Sequence, residues 1–397
     1  MDWAKFSFDF SLEGNELIAD VIHVEAYKEA AQNLVLPPDW SAQLDRLNRI
    51  RAVHGTTALE GNPLSEAEVS QQIDLLSKPP AEVPSVATKE QLQIRNAGRA
   101  QGWVKLRFTP ENEPMTVGDI LRMHQMITEE SDETHNVPGH FRTFPVVVGT
   151  KALGGVHKGA PAEVVAELMD QYIEFLKSRK VMSQHPVIRA LLAHVFLITI
   201  HPFGDGNGRV SRLVEAGILF QGGYNVLGFY GLSNYFYRNG DEYKTVLQRS
   251  RDKQPFDITA FVTFGLKGFA SELKGINNFI KSKLNRVVYR ATLVRAFNRK
   301  TSDRRRALNQ REYSLLDFLL RETEPVDPFS ERPTREIKIS ELRQSPFIAA
   351  SYRSVTPRTF TRELLRLAEL GFITFKTREG SSDGPVIEID FAAIGRY

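Results

Sequence analysis

HPFGDGNGRVSR, residues 201–212, is the stretch that decides the fold. It follows the apolar run 190–200 and precedes the apolar run 213–220, so the sequence predicts a helix, a tight loop and a second helix. Glycines at positions 204, 206 and 208 let the loop turn sharply and approach a ligand closely, because no Cβ is in the way. The spacing therefore predicts an anion site between two helices.

The start of the second helix supplies donors for a phosphate. We expect the helix to begin near Gly208, which leaves amide N–H groups without intrahelical partners and places the positive end of the helix dipole behind them. Arg209 and Arg212 are three residues apart, so both guanidinium groups are expected on one side, where they can clamp phosphate oxygens. The amides are those of Gly208, Arg209, Val210 and Ser211.

Two further side chains of this stretch suit phosphoryl chemistry. A carboxylate such as Asp205 is unfavourable beside a phosphate unless a cation lies between them, and Mg²⁺ is the expected cation. His201 has a pKa range suited to removing a proton from a hydroxyl. Phe203 is expected to anchor the loop in the core. The alternative is a glycine-rich turn with solvated polar groups, but a turn does not need His, Asp, Asn and two Arg together.

Residues 201–212 resemble the signature of the Fic family, HPFx(D/E)GNGRxxR, at every fixed position. The similarity extends over roughly residues 40–275. By this resemblance His201 is the general base that activates a Ser, Thr or Tyr hydroxyl of a target protein. Asp205 then holds Mg²⁺, and the glycine at position 208 favours nucleotidyl transfer, since the phosphate-transferring branch of the family has lysine there.

The same resemblance assigns the phosphates of ATP. Asn207 and its flanking amides, beginning with that of Gly206, are expected to bind the α-phosphate. Arg209 is expected to bind the β-phosphate and Arg212 the γ-phosphate. Tyr243, and after it Tyr237, are expected to contact the adenosine, although both could equally be packing residues of a helix.

TTALEG, residues 56–61, resembles the inhibitory sequence (S/T)xxxE(G/N) of the Fic family. It begins at Thr56 and lies at the end of a helix expected at about residues 41–61. Glu60 can pair with Arg212 and so occupy the place of the γ-phosphate. The alternative is a helix ended by Gly61 with Glu60 exposed to solvent.

A short hairpin is expected at Phe144–Gly155, because β-branched residues there are followed by glycines. It resembles the flap of the Fic family, which pairs with an extended stretch of the target protein, and the alternative is a plain surface ribbon. The two residues that follow, His157 and Lys158, are expected to be solvated. His194 is expected in the core, and His185 at the surface or in packing.

The rest of the chain predicts a mainly α protein: a Fic-type helical bundle with a small β-hairpin flap, followed by a C-terminal winged helix-turn-helix domain. Residues 44, 47, 50 and 53 place apolar side chains on one side of a helix, and Ser65 with Glu68 has capping-box spacing. We expect an N-terminal helical region at 1–84, the catalytic domain at 85–297 and the winged domain at 298–397.

The winged domain is predicted from three short helices and two strands. The helices are expected at 312–320, 339–343 and from Pro357 to Gly371, and the strands at 372–377 and 385–389, joined by EGSSDG. Arg358, Arg362 and Arg366 recur at four-residue steps and could face DNA phosphates, with Lys376 and Arg378 adding contacts. Protein docking and dimer formation are equal alternatives.

Composition limits the remaining function classes. The chain has 51 Lys and Arg against 48 Asp and Glu, so any anion site is local. It has no Cys, which excludes disulfides and thiolate metal sites. No signal peptide or membrane span is expected, and we expect a cytoplasmic protein.

The leading prediction is a protein adenylyltransferase that uses ATP and Mg²⁺. Self-modification and homodimer formation stay open, as do a DNA-binding regulator with a nucleotide-sensing core and an enzyme that removes AMP or uses another nucleotide.

Overall fold

The computed structural model describes residues 3–14, 17–34, 36–84, 87–130, 136–149, 156–224, 231–252, 254–300, 306–325, 337–376 and 385–397. The chain forms two compact units, residues 1–273 and 274–397, and the boundary falls within a long helix. Both units are built mainly from helices, which confirms the predicted class. The division into three regions stays a prediction.

Helices make up most of the first unit. Those that lead up to the flap are α1 (Leu17–Gln32), α2 (Pro38–Ala58), α3 (Glu66–Leu75), α4 (Lys89–Arg107) and α5 (Val117–Thr128). Those that follow it are α6 (Val165–Lys177), α7 (Arg179–Met182), α8 (Pro186–Ile200), α9 (Asn207–Gln221), α10 (Ser233–Arg238), α11 (Gly240–Ser250) and the start of α12 (Thr259–Asn298).

Helix α8 is the centre of this unit. Its apolar side chains are buried on all sides, as the sequence predicts, because α6 and α9 both pack against it. Pro186 stands at the first helical position, and the Nδ1 atom of His185 accepts the amide hydrogen of Val187 at 3.3 Å. His185 is thus a capping residue as well as a packing residue.

Helix α2 and the turn after it carry the expected inhibitory sequence. The helix begins at Pro38 and ends at Ala58, so Glu60 lies in the following turn and not in the helix as predicted. Gly61 adopts a φ of 89°, a conformation that only glycine takes readily, and this turns the chain away. The capping box of Ser65 and Glu68 at the start of α3 is confirmed.

Two short sheets complete the first unit. Strand β1 (Phe10–Ser11) pairs in parallel with β4 (Phe256–Asp257), a pairing that the sequence did not predict. Strand β2 (Val147–Val148) pairs antiparallel with β3 (His157–Lys158), so an antiparallel flap is present. Its second strand begins beyond the expected end at Gly155, and the intervening residues 150–155 lie outside the described part of the chain.

The second unit has its own hydrophobic core, centred on residues such as Tyr289, Leu316, Leu364 and Phe372. Its elements are the end of α12, α13 (Gln310–Glu322), β5 (Ile337–Lys338), α14 (Ile339–Gln344), α15 (Pro346–Ser351), α16 (Pro357–Glu369), β6 (Ile373–Lys376) and β7 (Val386–Ile389). The sheet has the strand order β5-β7-β6, in which both neighbouring pairs are antiparallel.

Several predictions for this unit are confirmed, and others need correction. Pro357 is the first residue of α16, and Gly371 follows it with a φ of 74°. Helix α15 and strand β5 were not predicted, because each is too short to show a periodic pattern. The EGSSDG turn and Arg378 lie outside the described residues, and the winged helix-turn-helix assignment stays a prediction.

The basic stripe expected on α16 is interrupted. The guanidinium group of Arg366 bonds to the Glu312 carboxylate and to the carbonyl oxygen of Ala307 at 2.6 Å, so it serves the fold. Arg358 and Arg362 are exposed, while Lys376 pairs with Glu388 at 2.6 Å. Binding of DNA therefore has less support from the structure than from the sequence.

No helix in the described part of the chain combines the length and the apolar character that a membrane span requires.

Candidate nucleotide site

The loop between α8 and α9, residues 201–206, is set by two left-handed residues. His201 ends α8 with φ 54° and ψ 61°, and Gly206 precedes α9 with a φ of 80°. For a residue with a Cβ this conformation costs roughly 1–2 kcal/mol, so other contacts must hold His201 in place. Six residues, 201–206, therefore join the end of α8 to the start of α9.

Helix α9 begins at Asn207, one residue earlier than expected. The amide of Val210 donates to the carbonyl oxygen of Gly206 at 2.9 Å, so it belongs to the helix ladder. Val210 and Ser211 therefore do not supply free amides, contrary to the prediction. The amides of the first turn of a helix have no intrahelical acceptors, and in α9 this turn begins at Asn207 after the cap residue Gly206.

Asn207 braces the loop with its side chain. Its Oδ1 atom accepts from the amide of Phe203, and its Nδ2 atom donates to the carbonyl oxygen of Phe203, both at 2.9 Å. The side-chain amide is thus committed to the loop, and only the backbone N–H of Asn207 is placed to bind a ligand. Phe203 is fully buried, as predicted for the residue that anchors the loop.

His124 is a supporting residue that the sequence analysis missed. Its ring stacks on Phe203 with a centroid distance of 3.8 Å, and its two nitrogens bond to Gly139 N at 3.0 Å and to Asp205 O at 3.2 Å. Burial lowers its pKa to about 4, so the ring is neutral at pH 7. Nδ1 then accepts from Gly139 and Nε2 donates to Asp205.

The carboxylate of Asp205 faces Arg209. Its Oδ2 atom lies 2.6 Å from Nη2 of Arg209, and the side chain of Asp205 is 36% exposed. Asn136 accepts the Asp205 amide hydrogen at 3.1 Å, which fixes the backbone at this point. Arg209 is buried against its partner, so a phosphate that binds Arg209 has to share it with Asp205.

Arg212 is held by α2 and the turn after it. Its Nε atom donates to Thr56 Oγ1 at 2.7 Å, and its Nη2 atom donates to Thr56 O at 3.0 Å and to Glu60 Oε1 at 2.6 Å. Burial alone would lower the pKa of Arg212, but the charge of Glu60 raises it above its ordinary value. Arg209 and Arg212, expected to act together, are paired with different carboxylates.

Glu60 lies over the first turn of α9. A Cβ added to Gly208 would overlap the Glu60 carboxylate, and it would lie 3.1 Å from Nη1 of Arg212. A negative group is favourable at this position, because the free amides and the helix dipole attract anions. Glu60 therefore occupies part of the space in which a phosphate would bind.

The imidazole of His201 has the geometry of a base. Its Nδ1 atom lies 3.2 Å from the carbonyl oxygen of Ile198. With the proton on Nδ1, Nε2 keeps a free lone pair. Burial lowers the pKa of His201 to about 4, and the positive charges of Arg251 and Arg142 act in the same direction. The ring is therefore neutral at pH 7, and Nε2 carries no proton.

Of the two tyrosines expected to contact adenosine, only one is accessible. Tyr243 is 5% exposed, and its hydroxyl bonds to Nε2 of His194 at 2.9 Å. The prediction of His194 as a core residue is confirmed, since Glu215 holds its other nitrogen at 3.1 Å. Tyr237 is 41% exposed and lies edge-on to His54. The contact of either tyrosine with adenosine stays a prediction, and the burial of Tyr243 favours Tyr237 for it.

His157 is buried and not solvated as predicted. It stands in β3, and its Nε2 atom bonds to the carbonyl oxygen of Thr199 at 2.7 Å. Burial lowers its pKa to about 3, so it ties the flap to α8 as a neutral ring. The alternation of a strand explains the error, because the neighbouring Lys158 is exposed while His157 faces inward.

Asp205 is the residue here that could hold a cation. Among the residues that the structure describes, no three His, Asp or Glu side chains cluster as metal ligands. One half-exposed carboxylate is nevertheless sufficient for Mg²⁺, which keeps several waters and takes its remaining ligands from substrate phosphates. The residues present therefore fit a magnesium ion that arrives with a nucleotide.

Residues 114–219 match the Fic/DOC family. Protein adenylyltransferase Fic of Aedes aegypti is 30% identical over 175 residues, which cover 44% of this chain and 33% of that protein. Protein adenylyltransferase Fic of Drosophila ananassae is 32% identical over 172 residues, which cover 43% and 32%. The chain thus spans about a third of the length of the curated relatives it matches.

A solved structure shares the fold of nearly the whole chain. The Fic family protein from Desulfovibrio desulfuricans G20 aligns with a TM-score of 0.55 and 19% identity, covering 96% of this chain and 97% of that one. At this identity the similarity concerns the fold alone. It confirms the predicted Fic-type helical fold.

Proposed function

We propose that the Fic domain of this chain, at residues 114–219, is part of a protein adenylyltransferase. It would transfer AMP from ATP to a Ser, Thr or Tyr hydroxyl of a target protein. One observation carries the proposal: the neutral His201 ends α8, and the six-residue loop 201–206 leads from it directly into the first turn of α9. A base next to a phosphate site is what attack on a phosphate requires.

The transfer needs one proton acceptor and one leaving group. His201 Nε2 accepts the proton of the attacking hydroxyl, whose oxygen forms a bond to the α-phosphorus. The bond between the α-phosphorus and the bridging oxygen of the β-phosphate breaks, and pyrophosphate leaves. The protein is thereby joined to AMP, and the proton on His201 returns to solvent.

The start of α9 would bind the phosphates. The backbone amides from Gly206 to Gly208 are suited to the α-phosphate, and the guanidinium groups of Arg209 and Arg212 to the β- and γ-phosphates. Asp205 would hold Mg²⁺, which when bound neutralises charge on the triphosphate. Tyr237 would contact the base in preference to Tyr243, because its side chain is the more exposed of the two.

Glu60 would act as an internal inhibitor. Its carboxylate competes with the γ-phosphate for Arg212 and occupies space over Gly208. A nucleotide that binds beside Glu60 would present its α-phosphate in the wrong position for in-line attack. Removal of the Glu60 side chain would free both the guanidinium group and the space.

The flap strands β2 and β3 would bind the target protein. An extended segment of the target could pair with the exposed backbone of this two-stranded sheet, which would place its hydroxyl near His201. Ala160, just after β3, donates its amide hydrogen to the carbonyl oxygen of Ile200 at 3.0 Å. This bond fixes the distance between the flap and the end of α8.

Intact mass after incubation with ATP and Mg²⁺ tests the proposal. We expect Glu60→Gly to gain the mass of AMP on itself or on an added target, wild type to gain much less, and the double variant Glu60→Gly/His201→Ala to gain none. Glu66→Gln is a suitable control, since Glu66 pairs with Arg51 and not with Arg212. Parallel incubations with GTP, CTP and UTP identify the base preference. No transfer from any nucleotide by Glu60→Gly would refute the proposal.

A further inference from the structure

Arg142 joins three backbone carbonyl groups from three segments of the site. Its Nε atom donates to His201 O and its Nη1 atom to Phe144 O, both at 2.7 Å, while Nη2 donates to Ala160 O. Phe144 lies just before the first flap strand, and Ala160 just after the second. One guanidinium group therefore connects both ends of the flap to His201.

The side chain is 4% exposed, and all three acceptors are neutral carbonyl oxygens. Burial of a charged group is unfavourable unless hydrogen bonds compensate it, and here each guanidinium nitrogen has one. A lysine could not replace it, because an ammonium group lacks the planar, forked arrangement of donors. The geometry is therefore specific to arginine.

His201 needs such a contact. Its left-handed backbone persists only where neighbouring groups enforce it. The amide of His201 donates to Leu197 O at 3.0 Å, and Arg142 holds the carbonyl oxygen on the other side. The amide of Arg142 also donates to Pro202 O at 3.0 Å, which secures the next residue.

We propose that Arg142 is the positioning residue of this site, which fixes the backbone of His201 and the flap as one unit. The contribution of Arg142 to catalysis rests on the proposed function. In that reaction the imidazole must meet a hydroxyl that the flap presents, so the distance between flap and His201 decides the rate. Arg142 touches neither nucleotide nor hydroxyl in this role and acts through backbone atoms alone.

The charge of Arg142 has a second effect, on the pKa of His201. The charged groups that act on His201 are Arg142 from the flap side, Arg251 after α11 and Glu60 after α2, while the buried His157 of β3 is neutral. Arg142 and Arg251 both lower the pKa of His201, and Glu60 raises it. Loss of the Arg142 charge should therefore raise the pKa of His201.

The test uses Arg142→Lys and Arg142→Gln in the full chain without nucleotide. Amide hydrogen exchange is measured at Gly159 and Ala160, and the His201 imidazole is titrated by NMR. We expect exchange at both amides to quicken by about tenfold or more in both variants. The pKa of His201 should rise in Arg142→Gln and stay low in Arg142→Lys, which keeps the charge.

Arg251→Gln is the matched control. It removes another largely buried arginine near His201, one that bonds to Gln248 and not to the flap. It should raise the pKa of His201 and leave exchange at Gly159 and Ala160 unchanged. Two outcomes would overturn the proposal. One is exchange that quickens alike in all three variants, which would indicate a general loss of stability. The other is exchange in both Arg142 variants at the wild-type rate.

Gly159→Ala covers the case in which the Arg142 variants do not fold. An added Cβ would lie 2.8 Å from Val146 Cγ2, 3.0 Å from Arg142 Nη2 and 3.1 Å from His201 Cβ, so it disturbs the same junction without removing charge. Exchange at Ala160 should again quicken, and unchanged exchange would count against Arg142.

An activity measurement connects the proposal to the reaction. In the Glu60→Gly background, Arg142→Lys should lower AMP transfer about 100-fold with little change in the Kd for ATP. If Glu60→Gly alone transfers no nucleotide, the proposed function fails, while the exchange and titration results still decide whether Arg142 positions His201 and the flap.

Discussion

Glu60 and Arg212 form an ion pair of 2.6 Å between side chains that are 152 residues apart in the sequence. The pair connects the turn after α2 to the first turns of α9. Thr56, one helical turn before Glu60, bonds to the same guanidinium group through both its hydroxyl and its carbonyl oxygen. Arg212 is thus held from α2 before any nucleotide binds.

Thr56→Val should weaken this attachment. The substitution keeps the shape of the side chain but leaves the buried Nε–H of Arg212 without its acceptor, at a cost of about 1–3 kcal/mol in the free energy of unfolding. AMP transfer should rise, but less than in Glu60→Gly. Urea denaturation and the intact-mass assay measure the two effects. Thr57→Val is the control, since the Thr57 hydroxyl bonds only within its own helix, and equal effects of both variants would contradict the prediction.

Asn207→Ala should loosen the loop, because the side chain makes two hydrogen bonds to the backbone of Phe203. We expect the free energy of unfolding to fall by about 1–3 kcal/mol and the Kd for ATP to rise. Asn207→Asp keeps the acceptor but places a buried carboxylate oxygen against Phe203 O, so near neutral pH it should lower stability at least as much as Asn207→Ala. Calorimetric titration with ATP would contradict the role if Asn207→Ala bound it as tightly as wild type.

The first unit should lose stability in acid. Burial lowers the pKa of His124 and His201 to about 4 and that of His157 to about 3, below the ordinary 6.5. As pH falls below 6.5 the unfolded chain gains protons that the folded chain does not bind. The free energy of unfolding therefore decreases down to the folded pKa values, by about 1.4 kcal/mol per histidine for each unit of pKa difference.

His157→Gln tests this directly, because glutamine can still donate a hydrogen bond to Thr199 O but does not titrate. Urea denaturation at about pH 7 and about pH 4.5 should show a smaller loss of stability for this variant than for wild type. His140→Gln, which changes an exposed histidine, should behave as wild type. A pH dependence unaffected by His157→Gln would contradict the assignment.

Substitution of Tyr243 and of Tyr237 should distinguish the roles of the two side chains. Tyr243→Phe removes the hydroxyl that bonds to His194, so it should cost about 1 kcal/mol of stability and leave the Kd for ATP unchanged. Tyr237→Ala should have the opposite profile, with weaker ATP binding and little change in stability, since Tyr237 is partly exposed. If Tyr243→Phe weakened ATP binding and Tyr237→Ala did not, Tyr243 would be the residue that contacts the adenosine.

Local patterns in the sequence were sufficient to predict much of the fold. Helix α8 is apolar on all sides with Pro186 at its start, and residues 201–212 combine glycines with the side chains of an anion site. Both features depend on neighbours within a few positions, which is the range over which periodicity, capping and turn chemistry act. The same applies to the capping box of Ser65 and Glu68.

Long-range contacts could not be predicted in the same way. The stacking of His124 on Phe203, the bonds of Arg142 and the pairing of β1 with β4 join residues distant in sequence and leave no periodic signal. Asn207 was expected to bind phosphate through the resemblance to the Fic family, whereas its side chain supports the loop. A polar residue type alone does not show whether its partner is a ligand or the backbone.

The parallel pairing of Phe10 with Phe256 has a consequence for synthesis of the chain. Phe6 and Phe8 precede this strand and lie against Phe196 in the middle of the first unit. During translation Phe6 cannot gain all its aromatic neighbours until Phe256 has been made. Folding of this unit should therefore be late and concerted, because contacts in its core join segments that are far apart in the sequence.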